Sequence, residues 1–180
     1  ILVTCKLGIY VLTVSCISDS ISENDLETWI SIIENFPSRI KKLTSTLSVE
    51  ELNWTYRPKG WNIKQVVHHC ADSHINSFIR FKLALTEDIP TIKPYEEAKW
   101  AELADGNSDD ILPSLQIIEG VHSRWVLLLK SFGSKELKRQ FFHPENLKIF
   151  CLDEIIGVYA WHCNHHVAHI EQALAYKGQF

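Results

Sequence analysis

The sequence predicts an all-α protein built as a four-helix bundle, and three observations carry that expectation. Four long segments repeat apolar residues at helical spacing. Start and stop signals bracket those segments. No internal repeat, low-complexity tract or Pro/Gly/Ser-rich linker divides the 180 residues, so residues 21–180 read as one bundle domain.

Residues 1–20 read as an irregular N-terminal arm. Lys6 is the only charge from Ile1 to Ser18 in a mostly apolar run. No basic stretch precedes that run and no A-x-A cleavage pattern follows, so a signal peptide is not expected. Lys6 interrupts the run and Thr4, Thr13 and Ser15 dilute it, which argues against a membrane span.

The first helix is expected from about Glu23 to Leu47. Ser22 followed by Asp25 resembles a capping box, and Leu26, Ile30, Ile33, Phe36, Ile40 and Leu43 recur at helical spacing. Pro37 should bend this helix rather than end it. A turn at Arg57-Pro58-Lys59-Gly60 precedes a second helix from Trp61 or Asn62 to about Leu85. Pro90 and Pro94 then impose a long irregular connection, and its stretch from Thr86 to Ala104 is the place to look for substrate contacts. The third helix begins near Asp110, tolerates Pro113 in its first turn and runs through Ile117, Val121 and Leu128. Residues 138–151 read as a loop or a short extended pair. The fourth helix spans about Asp153 to Lys177 and stops at Gly178. Trp29, Phe36 and Trp125 read as core, as do His122 and His143, each with a hydrogen-bond partner.

Composition excludes several functions. A net charge of −4 offers no basic footprint for nucleic acid. Five cysteines, an odd number with no C-x-x-C pair, argue against a disulfide framework and for a reducing, cytoplasmic setting.

The fourth helix carries His162, His165, His166 and His169 within an arc of about 100°. They interrupt an apolar stripe that enters through Ile155, Val158 and Tyr159 and leaves through Ala173 and Tyr176. Imidazoles in a core-facing stripe point to a metal. Four pairs have ligand spacing: His162/His166, His165/His169, His162/His165 and His166/His169. The H-E-x-x-H motif is absent, because residues 163 and 164 are Cys and Asn. A third ligand must come from another helix, and His69 on the second is the best candidate. Asn62, Gln65, Asp72, Ser73, Asn76 and Arg80 share its face, a polar mixture expected to wall a wet cavity. His68 and His74 should point elsewhere, about 100° and 140° away. Cys70 and Cys163 also point away and read as packing. Glu119-Gly120-Val121-His122 is a single Glu-x-x-His, insufficient for a di-iron site. Three neutral imidazoles leave a fourth position open for water, the pattern of catalytic zinc, although nickel, iron(II) and copper also accept imidazole. Asp72 could orient a ligand imidazole or act as a base, and Asn76 with Arg80 could hold a carboxylate.

The segment Gly60-Trp61-Asn62-Ile63-Lys64-Gln65-Val66-Val67-His68-His69-Cys70-Ala71-Asp72-Ser73-His74 closely resembles the signature of the DinB-like superfamily, and most of all its YfiT branch of metal-dependent hydrolases. Arg80-Phe81-Lys82-Leu83, Pro94-Tyr95-Glu96-Glu97 with Trp100, His143-Pro144 and the run from Trp161 to His169 extend the likeness over residues 20–177. The resemblance implies an up-down-down-up bundle with one divalent metal per chain, zinc or nickel, held by His69, His162 and His166. It implies a small-molecule substrate and a homodimer. Related branches are similar to S-transferases using bacillithiol, mycothiol or glutathione, which makes a thiol transferase of detoxification the alternative activity. A non-catalytic metal-binding stress protein is the third reading. Two departures stand out: the apolar N-terminal run, and Cys70 where the family has an aliphatic residue, which could make the site prone to oxidation.

Overall fold

The computed structural model describes the backbone of residues 2–5 and 8–11 and all of residues 21–179. The expected arm at 1–20 otherwise lies outside the described residues. Strands β1 (Leu2–Cys5) and β2 (Gly8–Val11) pair antiparallel. Four long helices follow: α1 (Glu23–Thr44), α3 (Ile63–Thr86), α5 (Leu112–Leu129) and α7 (Leu152–Tyr176). Three single-turn helices join them, α2 (Val49–Leu52), α4 (Glu97–Trp100) and α6 (Ser134–Leu137), together with strands β3 (Gln140–His143) and β4 (Lys148–Cys151). The single-turn helices escape a periodicity argument because four residues contain no repeat.

Local chemistry explains the boundaries. Ser22 and Asp25 cap each other reciprocally at the start of α1, and Asn62 and Gln65 do the same for α3. Helix α5 carries Pro113 in its first turn, where a missing N–H costs nothing. Helix α7 ends with Lys177 at φ 51° and Gly178 at φ 64°. This left-handed pair stops the helix, and Gly178 adopts it without a Cβ penalty.

The helices form a closed ring in the order α1, α7, α3, α5. Lys130 meets Glu34 and Glu119 meets Lys41, so α1 and α5 run antiparallel. His68 bonds Ser114 and His74 bonds His122, so α3 and α5 are parallel. Trp29 lies on Gly157 and Arg39 reaches Asn164, which makes α1 and α7 parallel as well. His69 meets His162 and Ser73 meets Tyr159, so α3 and α7 are antiparallel. The result is the expected up-down-down-up bundle. A parallel neighbour cannot be reached by a tight turn, which explains the long crossover at residues 87–111 between α3 and α5.

The β3–β4 hairpin anchors that crossover. Phe142 donates its N–H to the Pro90 carbonyl (2.9 Å) and accepts from Ile92 N–H (3.0 Å). Arg139 donates to the Ala84 carbonyl at 2.7 Å and to the Glu87 carbonyl. Phe36, Phe81, Trp125, Ile118 and Ile156 are fully buried between the helices, whereas Trp29 is half-buried. Two stripe assignments on α7 fail: Val158 is 46% exposed and Tyr176 58%. Helix α7 has only two flanking neighbours in the ring, so its buried arc is narrower than the apolar sequence suggests.

Candidate metal centre

The antiparallel contact of α3 and α7 brings His69 to face His162, and the 3.6-residue turn stacks His166 beside His162. The Nε2 atoms of His69 and His162 lie 3.3 Å apart, and those of His166 and His162 lie 3.1 Å apart. The ligand atoms of all three fall within 4.8 Å of one another. In a tetrahedral zinc site with bonds of about 2.0–2.1 Å, adjacent nitrogens are about 3.3 Å apart. Two edges of this triangle already have that length.

The electrostatics suit a cation-binding donor set. Burial pushes the His69 imidazole down to about 4 and that of His162 to about 3, with neighbouring imidazoles lowering His162 further. His166 is driven down harder still by burial and then by His162 and His69. A buried ring without a compensating carboxylate resists protonation, so all three rings are neutral at neutral pH and each keeps one nitrogen lone pair for a cation. The Nδ1 atom of His166 is buried without a hydrogen-bond partner, an expense that a bound ion at Nε2 would offset. The residues present therefore fit a divalent metal.

The remaining histidines are sorted by their packing. His165 stacks on Trp161 (ring centroids 4.5 Å) and His169 on Tyr56 (3.7 Å), so neither joins the triangle. His68 turns away, as expected, to Ser114 Oγ (2.7 Å) and the Ser108 carbonyl (3.0 Å). His122 is buried and hydrogen-bonded, also as expected. His143 differs: it is only partly buried, and its Nδ1 has no partner.

His74 is the residue that sequence reasoning missed. A helical wheel turns it away from His69, yet its Nε2 lies 3.0 Å from Nδ1 of His162. Helix α3 is flanked by both α5 and α7, so a side chain pointing between them touches the site from behind. Burial, then the surrounding imidazoles, hold His74 well below the usual histidine range.

Part of the polar face of α3 is engaged with backbone and with the crossover. Gln65 donates to the Ala101 carbonyl (3.0 Å) and Glu102 (3.2 Å), and Arg80 to the Lys93 carbonyl (3.2 Å). These groups tie down the crossover, because a long irregular segment over a bundle needs partners for its carbonyls. Asn76 bonds the Asp72 carbonyl (2.9 Å), so the carboxylate clamp expected of Asn76 and Arg80 is engaged with backbone. Asp72 is half-buried, its carboxyl pulled up by burial and then by Asp105. His74, not Asp72, is the partner of the His162 ring. Cys70 and Cys163 are free and fully buried, and burial raises both thiols, whereas Cys151 is disulfide-bonded, which corrects the expectation from an odd cysteine count of a chain without disulfides. A neutral, inaccessible thiol is inert, which overturns the expectation of oxidation at Cys70.

Comparison with known proteins adds an independent line. The sequence profile of the DinB superfamily matches residues 32–170. YfiT of Bacillus subtilis, a provisionally named metal-dependent hydrolase, is 42% identical over 154 residues, covering 86% of each chain. A relative of the same provisional description from Halalkalibacterium halodurans is 46% identical over 154 residues, 86% of this chain and 89% of its own. The solved structure of Bacillus subtilis YfiT, described as a four-helix bundle of unusual topology, superposes with a TM-score of 0.85 over 89% of this chain and 91% of that one. The mycothiol-dependent maleylpyruvate isomerase shares the fold at TM-score 0.64 and 13% identity, over 87% of this chain and 63% of its own.

Proposed function

The chain belongs to the DinB superfamily, and from that premise we propose that it is a metal-dependent hydrolase. Its single divalent ion, zinc before nickel, is held by Nε2 of His69, His162 and His166. The observation that carries this reading is the pair of Nε2 separations, 3.1 and 3.3 Å, around one point between two helices. When bound there, such an ion would supply Lewis acidity and could lower the pKa of a water it holds towards about 7.

The chain's own residues do the rest. Three neutral imidazoles would leave a bound ion's dipositive charge uncompensated, which would favour anionic or carbonyl-like groups in the substrate. His69 and His162 approach from the neighbouring helices α3 and α7 and would hold the ion between them. Trp61, tilted against His69 at 4.7 Å between ring centroids, limits how far that ring can swing. The crossover held by Gln65 and Arg80 supplies the surface for substrate contacts. A homodimer acting on a small molecule completes the proposal.

The same uncompensated charge would also accept a thiolate, so a low-molecular-weight-thiol S-transferase of the bacillithiol type is the second reading. Elemental analysis of untagged protein tests the site: about one ion per chain is expected in the wild type and none in His162→Ala. Equal metal content in both would overturn it. Incubation of the zinc-loaded protein with a small thiol and monochlorobimane, beside ester and amide substrates without thiol, separates the two activities.

A further inference from the structure

Behind His162 a chain of imidazoles crosses the bundle. Nδ1 of His162 lies 3.0 Å from Nε2 of His74, Nδ1 of His74 lies 2.7 Å from Nε2 of His122, and Nδ1 of His122 lies 2.6 Å from the carbonyl oxygen of Ile33. The carbonyl ends the chain, and it can only accept. His122 must therefore carry its proton on Nδ1, which leaves Nε2 as an acceptor. His74 must then donate from Nδ1 and accept at Nε2, so His162 donates from Nδ1. No other arrangement of three neutral rings satisfies every contact. The outcome is a bare Nε2 on His162, the atom that faces His69 and His166.

The Ile33 carbonyl is free for this purpose because of Pro37. In an uninterrupted helix the N–H of residue 37 would bond the carbonyl of residue 33, but proline has no N–H and its ring pushes that carbonyl outward. Helix α1 nonetheless remains continuous from Glu23 to Thr44, so the one carbonyl released inside it is the one that receives His122. Phe36, next to Pro37, packs on both rings of the chain, at 5.3 Å from His122 and 5.0 Å from His74. Sequence reading gave Pro37 a bend and His122 a place in the core. Together they reach the metal centre.

We propose that Pro37, His122 and His74 are positioning residues that fix the tautomer of His162 through the Ile33 carbonyl, keeping its Nε2 free for a metal. The inference rests on the proposed function for the identity of the ligand, and not for the hydrogen-bond chain itself. Partners behind a metal-bound histidine orient the ring and raise its basicity, and their loss costs about 10–100-fold in affinity. Here the partner is not a carboxylate but two further histidines and a helix carbonyl exposed by proline.

Two measurements on the full chain test this. In metal-free protein labelled with 15N-histidine, long-range 1H–15N correlation spectra should show His162, His74 and His122 as Nδ1–H tautomers. Competition with a chromogenic chelator should show zinc binding about 10–100-fold weaker in His74→Phe. His74→Gln, which can still accept from His162 and donate to His122, should recover most of that loss. Pro37→Ala guards against a folding artefact: restoring the helical N–H should raise the melting temperature of the metal-free protein while weakening zinc binding. A purely structural proline would change the first and not the second. An Nε2–H tautomer on His162 in the wild type, or wild-type affinity in His74→Phe, would overturn the chain. Unchanged affinity in Pro37→Ala would overturn the part assigned to proline. Wild-type protein that takes up no zinc would overturn the proposed function, and the tautomer of His162 in that sample would still decide the relay.

Discussion

Acid should unfold the metal-free protein over a narrow and predictable range. His69 and His122 are pushed down to about 4 and His162 to about 3 from an ordinary value of 6.5, in each case chiefly by burial. The unfolded chain therefore takes up protons that the folded chain refuses. Stability is fully present above pH 6.5, and it is lost as pH falls from 6.5 towards the folded values near 4. Each imidazole with a folded value of about 4 costs about 2 kcal/mol by pH 5, so three cost about 6 kcal/mol. A domain of ordinary stability has about 5–15 kcal/mol in total. Urea unfolding followed by far-UV circular dichroism at pH 8, 6.5, 5.5 and 5 measures the loss directly. A fall of less than about 2 kcal/mol across that range, the effect of a single ring, would refute the reasoning. It would mean that most of these rings are solvated or already charged in the fold.

Further outcomes follow from particular contacts. A Cβ at Gly157 would sit 3.0–3.2 Å from three ring atoms of Trp29. Overpacking of about 1–3 kcal/mol should outweigh the gain of up to about 1 kcal/mol in helix propensity, so Gly157→Ala should lower the melting temperature. Gln65→Leu removes the 3.0 Å donor to the Ala101 carbonyl, which keeps Asn107 Nδ2 at 3.2 Å, and should cost about 0.5–1.5 kcal/mol, with faster amide exchange concentrated in residues 100–108. Cys70 and Cys163 should resist iodoacetamide in the folded protein and react only after denaturation, as peptide mapping would reveal. Zinc at about 100 times its dissociation constant should add about 2.7 kcal/mol to wild-type stability and nothing to His166→Ala, as thermal melts with and without the ion would show.

The order of elements was legible because their determinants are local. The capping residues Ser22 and Asn62, the first-turn Pro113 and the terminal Gly178 each act within a few residues of themselves, and the period of 3.6 needs only its own segment. That His162 and His166 share a face follows from the same geometry. What periodicity left open was which of four imidazoles faces His69, and the resemblance to a known family rather than any spacing singled out the pair. The role of His74 was not legible at all. A wheel reports angles around one axis, whereas the site is set by where three axes lie relative to one another.

The chain thus determined by its own order of residues where helices begin, where they end and which stripes are apolar. Only the tertiary structure decided that α3 lies between α5 and α7, so that two of its faces serve one centre. Nor does Pro37 reveal, from its own helix, that the carbonyl it releases at Ile33 meets a ring 89 residues away. Hydrogen bonds and metal ligation depend on distances of about 3 Å, and across helices those distances are fixed by packing alone.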